Sequence, residues 1–189
     1  MEYLIHFVFE LIKISILSTV YISLLLIVFR IIARKKQGSF IDKISKRKLL
    51  FWFVGGAIIS SSLFIFMFTY YGNHGLGDFA IVPIGHHKSV FQIDSQFSYI
   101  ENAKGTQIEI NDFIVENDHL YAKKVYDFNG LKGDYVVWDL KNDTWEFYDN
   151  NIDYFKAMKK RCYPAPHTFK SFDEHYSEHW NGWRFFLLP

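Results

Sequence analysis

At 189 residues, half of them hydrophobic and one in five aromatic, the chain is too apolar for a disordered segment and too short for more than one modest core beside a membrane anchor. Its formal charge of +1 hides a split: residues 1–71 carry nine Lys/Arg against three Asp/Glu, and residues 72–189 carry twelve against seventeen. An acidic second part repels phosphate backbones, so no nucleic-acid partner is expected, and the single cysteine excludes an internal disulfide.

The first part holds two apolar runs, about residues 14–33 and 49–71, each of the length a helix needs to cross a hydrocarbon core. Between them lie Arg34, Lys35, Lys36, Lys43, Lys46, Arg47 and Lys48 against the single acid Asp42. Short loops rich in Lys and Arg stay on the cytoplasmic side. The expectation is therefore a multi-pass protein of the cytoplasmic membrane, with a transmembrane helical hairpin over residues 1–71, its loop (34–48) inside and residues 72–189 outside. A cleaved signal peptide has the opposite charge order, whereas here Glu2 and Glu10 precede the first run and Arg30 and Arg34 follow it. In the second run Gly56 and Ser60 recur at helical spacing, which predicts a close seam with the first helix or, less favoured, with a second copy. Tyr70 and Tyr71 end the run as an interfacial aromatic pair.

Three glycines in Gly72-Asn73-His74-Gly75-Leu76-Gly77-Asp78 could form an anion-binding nest, but they follow an apolar span where a phosphate-binding loop follows a soluble strand, and a turn out of the bilayer is the expected reading. Short β-branched and aromatic runs then predict antiparallel strands near residues 81–84, 90–93, 106–110, 113–115, 120–126, 135–140 and 144–148. Pro83 confines the first to an edge or an extended connector. Lys141-Asn142-Asp143 marks the clearest hairpin, in which Trp138 and Leu140 can share a face with Trp145 or Phe147. Two helices should close the domain. The first is capped by Asn150 or Asn151, and its Phe155, Met158 and Cys162 at i, i+3, i+7 predict a buried face that includes the cysteine. Ser171-Phe172-Asp173-Glu174 is a capping box for the second, along which Phe172, Tyr176, Trp180 and Trp183 form a stripe. The fold class expected is thus an α+β membrane protein, with a two-helix hairpin followed by a small antiparallel β-rich domain (72–189) carrying two C-terminal helices.

His175 and His179, one turn apart, are the candidate metal ligands, with His86, His87 and His167 as distant partners. The zinc-peptidase pattern HExxH is absent, since Tyr176 follows His175, and a packed histidine pair is the favoured reading. No nucleophile elbow, Walker loop or paired CxxC motif occurs, and no cofactor is expected. Trp180, Trp183 and Arg184 combine residue types enriched at binding hot spots, so residues 180–188 are the candidate contact surface for a partner, a second copy or lipid.

The function expected is a membrane-anchored extracytoplasmic interaction module, an accessory or immunity-like protein of a bacterial envelope. Its partners would be the bilayer and another envelope protein or a second copy. Two alternatives stand beside it, a ligand-gated membrane effector with a β-rich sensor and an envelope hydrolase using His175 and His179. In layout, two spans joined to a small β-rich domain, the chain resembles the cyclic-oligonucleotide-sensing effectors of bacterial antiphage systems. That resemblance implies a β-barrel sensor facing the cytoplasm, on the opposite side from the one the basic loop predicts.

Overall fold

The structure, a computed structural model, describes residues 2–35, 47–125 and 133–189. In chain order its elements are helices α1 (Glu2–Lys35) and α2 (Lys48–Met67), then strands β1 (Phe79–Gly85), β2 (Lys88–Ile93), β3 (Phe97–Glu101), β4 (Gln107–Glu116), β5 (His119–Lys124), β6 (Tyr135–Asp139) and β7 (Thr144–Tyr148). There follow α3 (Asn151–Arg161), a 3-10 turn (Pro166–Thr168), β8 (Lys170–Ser171), α4 (Phe172–Trp180) and α5 (Trp183–Leu187). The fold is α+β, a helix pair followed by an open antiparallel sheet. Two compact units divide the chain: Met1–Asn73 together with Trp183–Pro189, and His74–Gly182. The terminal residues 183–189 therefore belong with the helices and not with the β-rich unit to which the sequence pattern assigned them.

In the helical unit α1 and α2 are both long and apolar enough to cross a membrane. The 20 residues of α2 span about 30 Å, a hydrocarbon thickness, and the 34 of α1 about 51 Å. Helix α1 thus begins well before residue 14, and the second apolar run leaves the helix at Met67, with Tyr70 edge-on to Tyr71 beyond it. The basic segment contributes Arg34 and Lys35 to the last turn of α1, and Arg47 and Lys48 to the start of α2. Lys36, Lys43 and Lys46 lie outside the described residues.

The two helices run antiparallel, as Phe7 meets Phe64 at 6.3 Å and Phe29 meets Phe51 at 5.3 Å. Between these contacts Ile22, 1% exposed, packs onto Gly55, where any Cβ would collide with its Cδ1. Gly56 has no atom within 4 Å of the place its Cβ would take. The close approach therefore falls one residue before the predicted Gly56/Ser60 seam. At 100° per residue that offset turns Gly56 away from α1, and spacing alone could not tell which of two adjacent glycines faces the partner.

In the β unit the strands follow one another as a meander, β1 to β7 in sequence order, with β8 added to β4. Two-residue turns with positive φ at both positions join β1 to β2 (His86-His87) and β4 to β5 (Asn117-Asp118), and the three-residue turn from β2 to β3 has positive φ at Asp94 and Ser95, the geometry that matches strand twist. Predicted strands 106–110 and 113–115 form one strand, β4, with a register shift between Ile110 and Phe113. The inward positions change phase there, from Ile108 and Ile110 to Phe113 and Val115, so Asn111-Asp112 marks a bulge and not a turn. Strand β3 pairs with β4 up to Ile110, after which β8 takes the same edge at Asp112 and Phe113.

A single sheet buries one face only by curling or by gaining a helix. Here it does both. Val82, Ile84, Val90, Ile100, Ile108, Ile110, Phe113, Leu120, Val136 and Trp138, from six strands, form one core with Leu140 and with Phe172 of α4. Trp138 is fully buried and pairs with Trp145 across the predicted hairpin. The capping box at Ser171 and the Asn150 cap both form. The inward residue of α3, however, is Tyr154, while Phe155 and Cys162 are exposed, with Cys162 closing the helix in a left-handed conformation. The i, i+3, i+7 pattern pointed to the wrong face because the sheet beneath α3 presents tyrosines, and Tyr154 packs among them with its hydroxyl donating to the Pro164 carbonyl at 2.9 Å.

Gly55→Leu should lower the thermal stability of the detergent-solubilised protein by about 1–3 kcal/mol, the usual cost of overpacking, while Gly56→Leu should leave it within error. Equal losses in the two variants would show that both glycines face a helix.

Candidate functional site

The outer face of the sheet is divided. Over β5 to β7 it is covered: Tyr121, Tyr135 and Val137 pack with Tyr154 of α3, and Tyr148, Tyr163 and Phe169 join them. Burial pushes the Tyr121 phenol up to about 12, helped by Tyr163 and Glu116, so the hydroxyl stays protonated at neutral pH. Tyr135 donates to Asn151 Oδ1 at 2.6 Å and stacks on Tyr154 at 4.6 Å. This cluster holds α3 in place.

Over β1 to β3 the same face carries a stacked ladder. Phe79 lies 5.7 Å from Phe91, and Phe91 lies 5.2 Å from Tyr99, all near parallel. The register places Ile93 opposite Phe97 beside them, and these two are 40% and 51% exposed. Glu109 stands opposite Tyr99, and Glu101 follows on the same face, accepting a hydrogen bond from Gln107. The result is an apolar strip with acids at one end. Burial, then Glu101, raises the Tyr99 phenol.

Strand β1 is an edge, and an edge offers unpaired backbone groups to any passing strand. Here Ile81 N–H donates to the His74 carbonyl at 3.1 Å, and its carbonyl accepts from the Trp180 indole at 2.7 Å. With Pro83 beside them, these bonds block strand addition in the middle of β1. Gly75, at φ +93°, brings the preceding loop against the Phe79 carbonyl, where a side chain would not fit. The glycine-rich segment works as a turn into β1.

The binding residues expected from the sequence are separated. Trp180 is buried in the β unit, edge-on to His74 and His179, and is spent on the β1 edge. Trp183 and Arg184 sit on α5 in the helical unit, with the guanidinium 5.2 Å from the Trp183 ring. The stripe breaks between them because α4 ends at Trp180 and Gly182 turns the chain at φ +73°. The candidate ligand His175 donates from Nε2 to the Phe113 carbonyl at 2.8 Å and stacks on that ring at 4.1 Å, which pins α4 to β4. His86 meets Asp118 at 3.0 Å on neighbouring turns. Among the described residues no group of three His, Cys, Asp or Glu side chains converges as a metal site.

A half-buried charge pair is the other candidate. Lys88 of β2 reaches Asp143 of the β6–β7 turn at 2.5 Å, and the same carboxylate accepts from the Trp138 indole at 3.0 Å and the Ala103 amide at 2.9 Å. The Lys88 ammonium also lies 5.0 Å from the Trp138 ring. Burial works against the charge on Asp143, yet the bonds from Lys88, Ala103 and Trp138 together hold its carboxyl below the usual range. With both carboxylate oxygens engaged inside the fold, this is a clamp between distant parts of the sheet. It offers substrate neither a free base nor a free acid.

The chain matches no known family model, no curated protein and no solved structure. Sequence reasoning missed the ladder. Its signal was present in β3, where Phe97 and Tyr99 alternate with Ser98 and Ile100, but the bulkier residues face outward, inverting the usual contrast between core and surface.

A carboxylate whose folded pKa is depressed contributes stability above its unfolded value, near 4, and loses it as pH falls through the folded value. Asp143 should behave so, with Asp139 and Glu174 adding in the same direction through bonds from Asn142 and Ser171. Asp143→Asn should flatten part of the loss of stability below about pH 4, and Asp143→Ala should cost about 2 kcal/mol at pH 7. Denaturant titrations at several pH values measure both effects.

Proposed function

We propose that the chain is a membrane-anchored interaction protein whose binding face is the aromatic strip on β1 to β3. One observation carries this reading: Phe79, Phe91 and Tyr99 stack in line, with Ile93 and Phe97 exposed beside them, on the part of the sheet that α3 leaves uncovered. Single exposed apolar residues are ordinary, but a contiguous strip is a contact surface in waiting. Aromatic rings supply large contact area at small entropic cost. Glu101 and Glu109 at the strip favour a protein partner with an apolar centre and a basic rim, either another membrane-associated protein or a second copy.

The anchor in this reading is the α1/α2 pair, crossing the cytoplasmic membrane with residues 34–48 inside and His74–Gly182 outside. Support comes from the length and apolarity of both helices, from the outward exposure of Ile16, Val20, Leu24, Ile58 and Ile65, and from the basic charge between the spans. The role is recognition and not catalysis. The polar groups with the best geometry, at Asp143 and His175, are committed to holding the fold together.

Two measurements test the proposal separately. A cysteine placed at Ser39 should react with a membrane-impermeant thiol reagent only after permeabilisation, and labelling in intact cells would reverse the orientation. A photoreactive residue at Phe97 in native membranes should give an adduct with a second polypeptide, while one at Lys123, an exposed residue of β5, should not. Adducts confined to the chain itself at Phe97 would leave the strip without a partner.

A further inference from the structure

The apolar end of the chain, readable as a closing strand or as a segment tucked near the membrane, is the short helix α5. It groups with α1 and α2, and its contacts run along α1: the Lys13 ammonium lies 4.8 Å from the Phe185 ring, and the Tyr21 hydroxyl donates to the Leu187 carbonyl. Eight residues of helix separate Lys13 from Tyr21, about 12 Å along the axis. That stretch of α1 lies between its contacts with Phe64 and Gly55 of α2, so α5 sits at the depth of the apolar pair and not beyond its end.

Its side chains suit that depth. Phe185, Phe186 and Leu187 are 48%, 71% and 47% exposed, continuing the exposed apolar surface of α1 at Ile12, Ile16 and Val20. The backbone is prepared as well. A helix end in an apolar medium must satisfy its last carbonyls internally, and here Leu187 accepts from Tyr21 while Arg184 accepts from the Leu188 amide. Pro189 brings no N–H. Arg184 and Lys13, each beside an aromatic ring, are cations at the start of this segment, where phosphate headgroups would meet them.

We propose that residues 183–189 form a third membrane element, a short foot inserted beside α1 into the leaflet on the side where α1 begins, with acyl chains covering Phe185, Phe186 and Leu187. The inference rests on the reading of α1 and α2 as spans. The occupant is lipid and not protein because the foot lies against α1 at Lys13 and Tyr21, next in sequence to the exposed apolar Ile12 and Val20, and exposes apolar side chains of its own. Residues 74–182 are then flanked by membrane elements at both ends of their sequence.

A nitroxide tests this in the full chain reconstituted into phosphatidylcholine vesicles. Cys162→Ser removes the exposed cysteine, and Phe186→Cys places the label at a side chain that packs little in the fold. Val54→Cys, on the exposed surface of α2, reports on the span by itself. The expected result is that both labels collide more with oxygen than with a water-soluble nickel chelate. A lipid signal at 54 with an aqueous one at 186 would overturn the foot and leave the span standing, and aqueous signals at both would overturn the span as well. If the label at 186 is shielded from both reagents and broadened by a second nitroxide, another copy covers the foot, and the lipid assignment is wrong.

Discussion

Among the described residues a single sheet carries Trp138, and the indole is buried because that sheet curls and α4 packs Phe172 into the same core. The bend in β4 at Asn111-Asp112 makes this possible: the inserted residue shifts the inward positions, and β3 gives way to β8 along one edge. The curled state is then held by the bonds from Trp138, Lys88 and Ala103 to Asp143, which join β2, the β3–β4 turn and the β6–β7 hairpin. The clamp also meets the polar demand of an otherwise apolar residue, since the indole N–H of Trp138 would be costly to bury unpaired.

Curling leaves the outer face to be managed, and the chain treats its two halves differently. Over β5 to β7 the phenols of Tyr135 and Tyr154 find acceptors and α3 is held tightly. Over β1 to β3 the aromatic side chains stack on one another and remain open at Phe97 and Ile93, while the β1 edge beside them is blocked by Trp180 and the His74 carbonyl. Blocking the edge while exposing the face favours recognition by side chains over strand addition.

Much of this was legible in the sequence. Local signals with strong chemistry held: Pro83 at an edge, the hairpin around Lys141-Asn142-Asp143, the Asn150 cap and the capping box at Ser171. What was hidden depended on tertiary partners. Whether Asn111-Asp112 is a turn or a bulge is decided by which strands flank it, and whether Gly55 or Gly56 forms the seam by the rotation of α2 against Ile22. The face that α3 buries is decided by tyrosines on strands distant in sequence. The candidate binding residues Trp180, Trp183 and Arg184 are parted in the same way, as the chain turns at Gly182 and Trp180 falls in one unit, Trp183 and Arg184 in the other.

The claim on which the functional account turns is that the outer face of β1 to β3 is open in the isolated protein and covered where the protein works. Hydroxyl-radical footprinting of Phe91, Phe97 and Tyr99, in detergent and in native membranes, reads this directly. The account predicts that all three are modified readily in detergent and protected in native membranes, with Phe155 on α3 reacting alike in both. Equal modification of the strip in the two settings would contradict it.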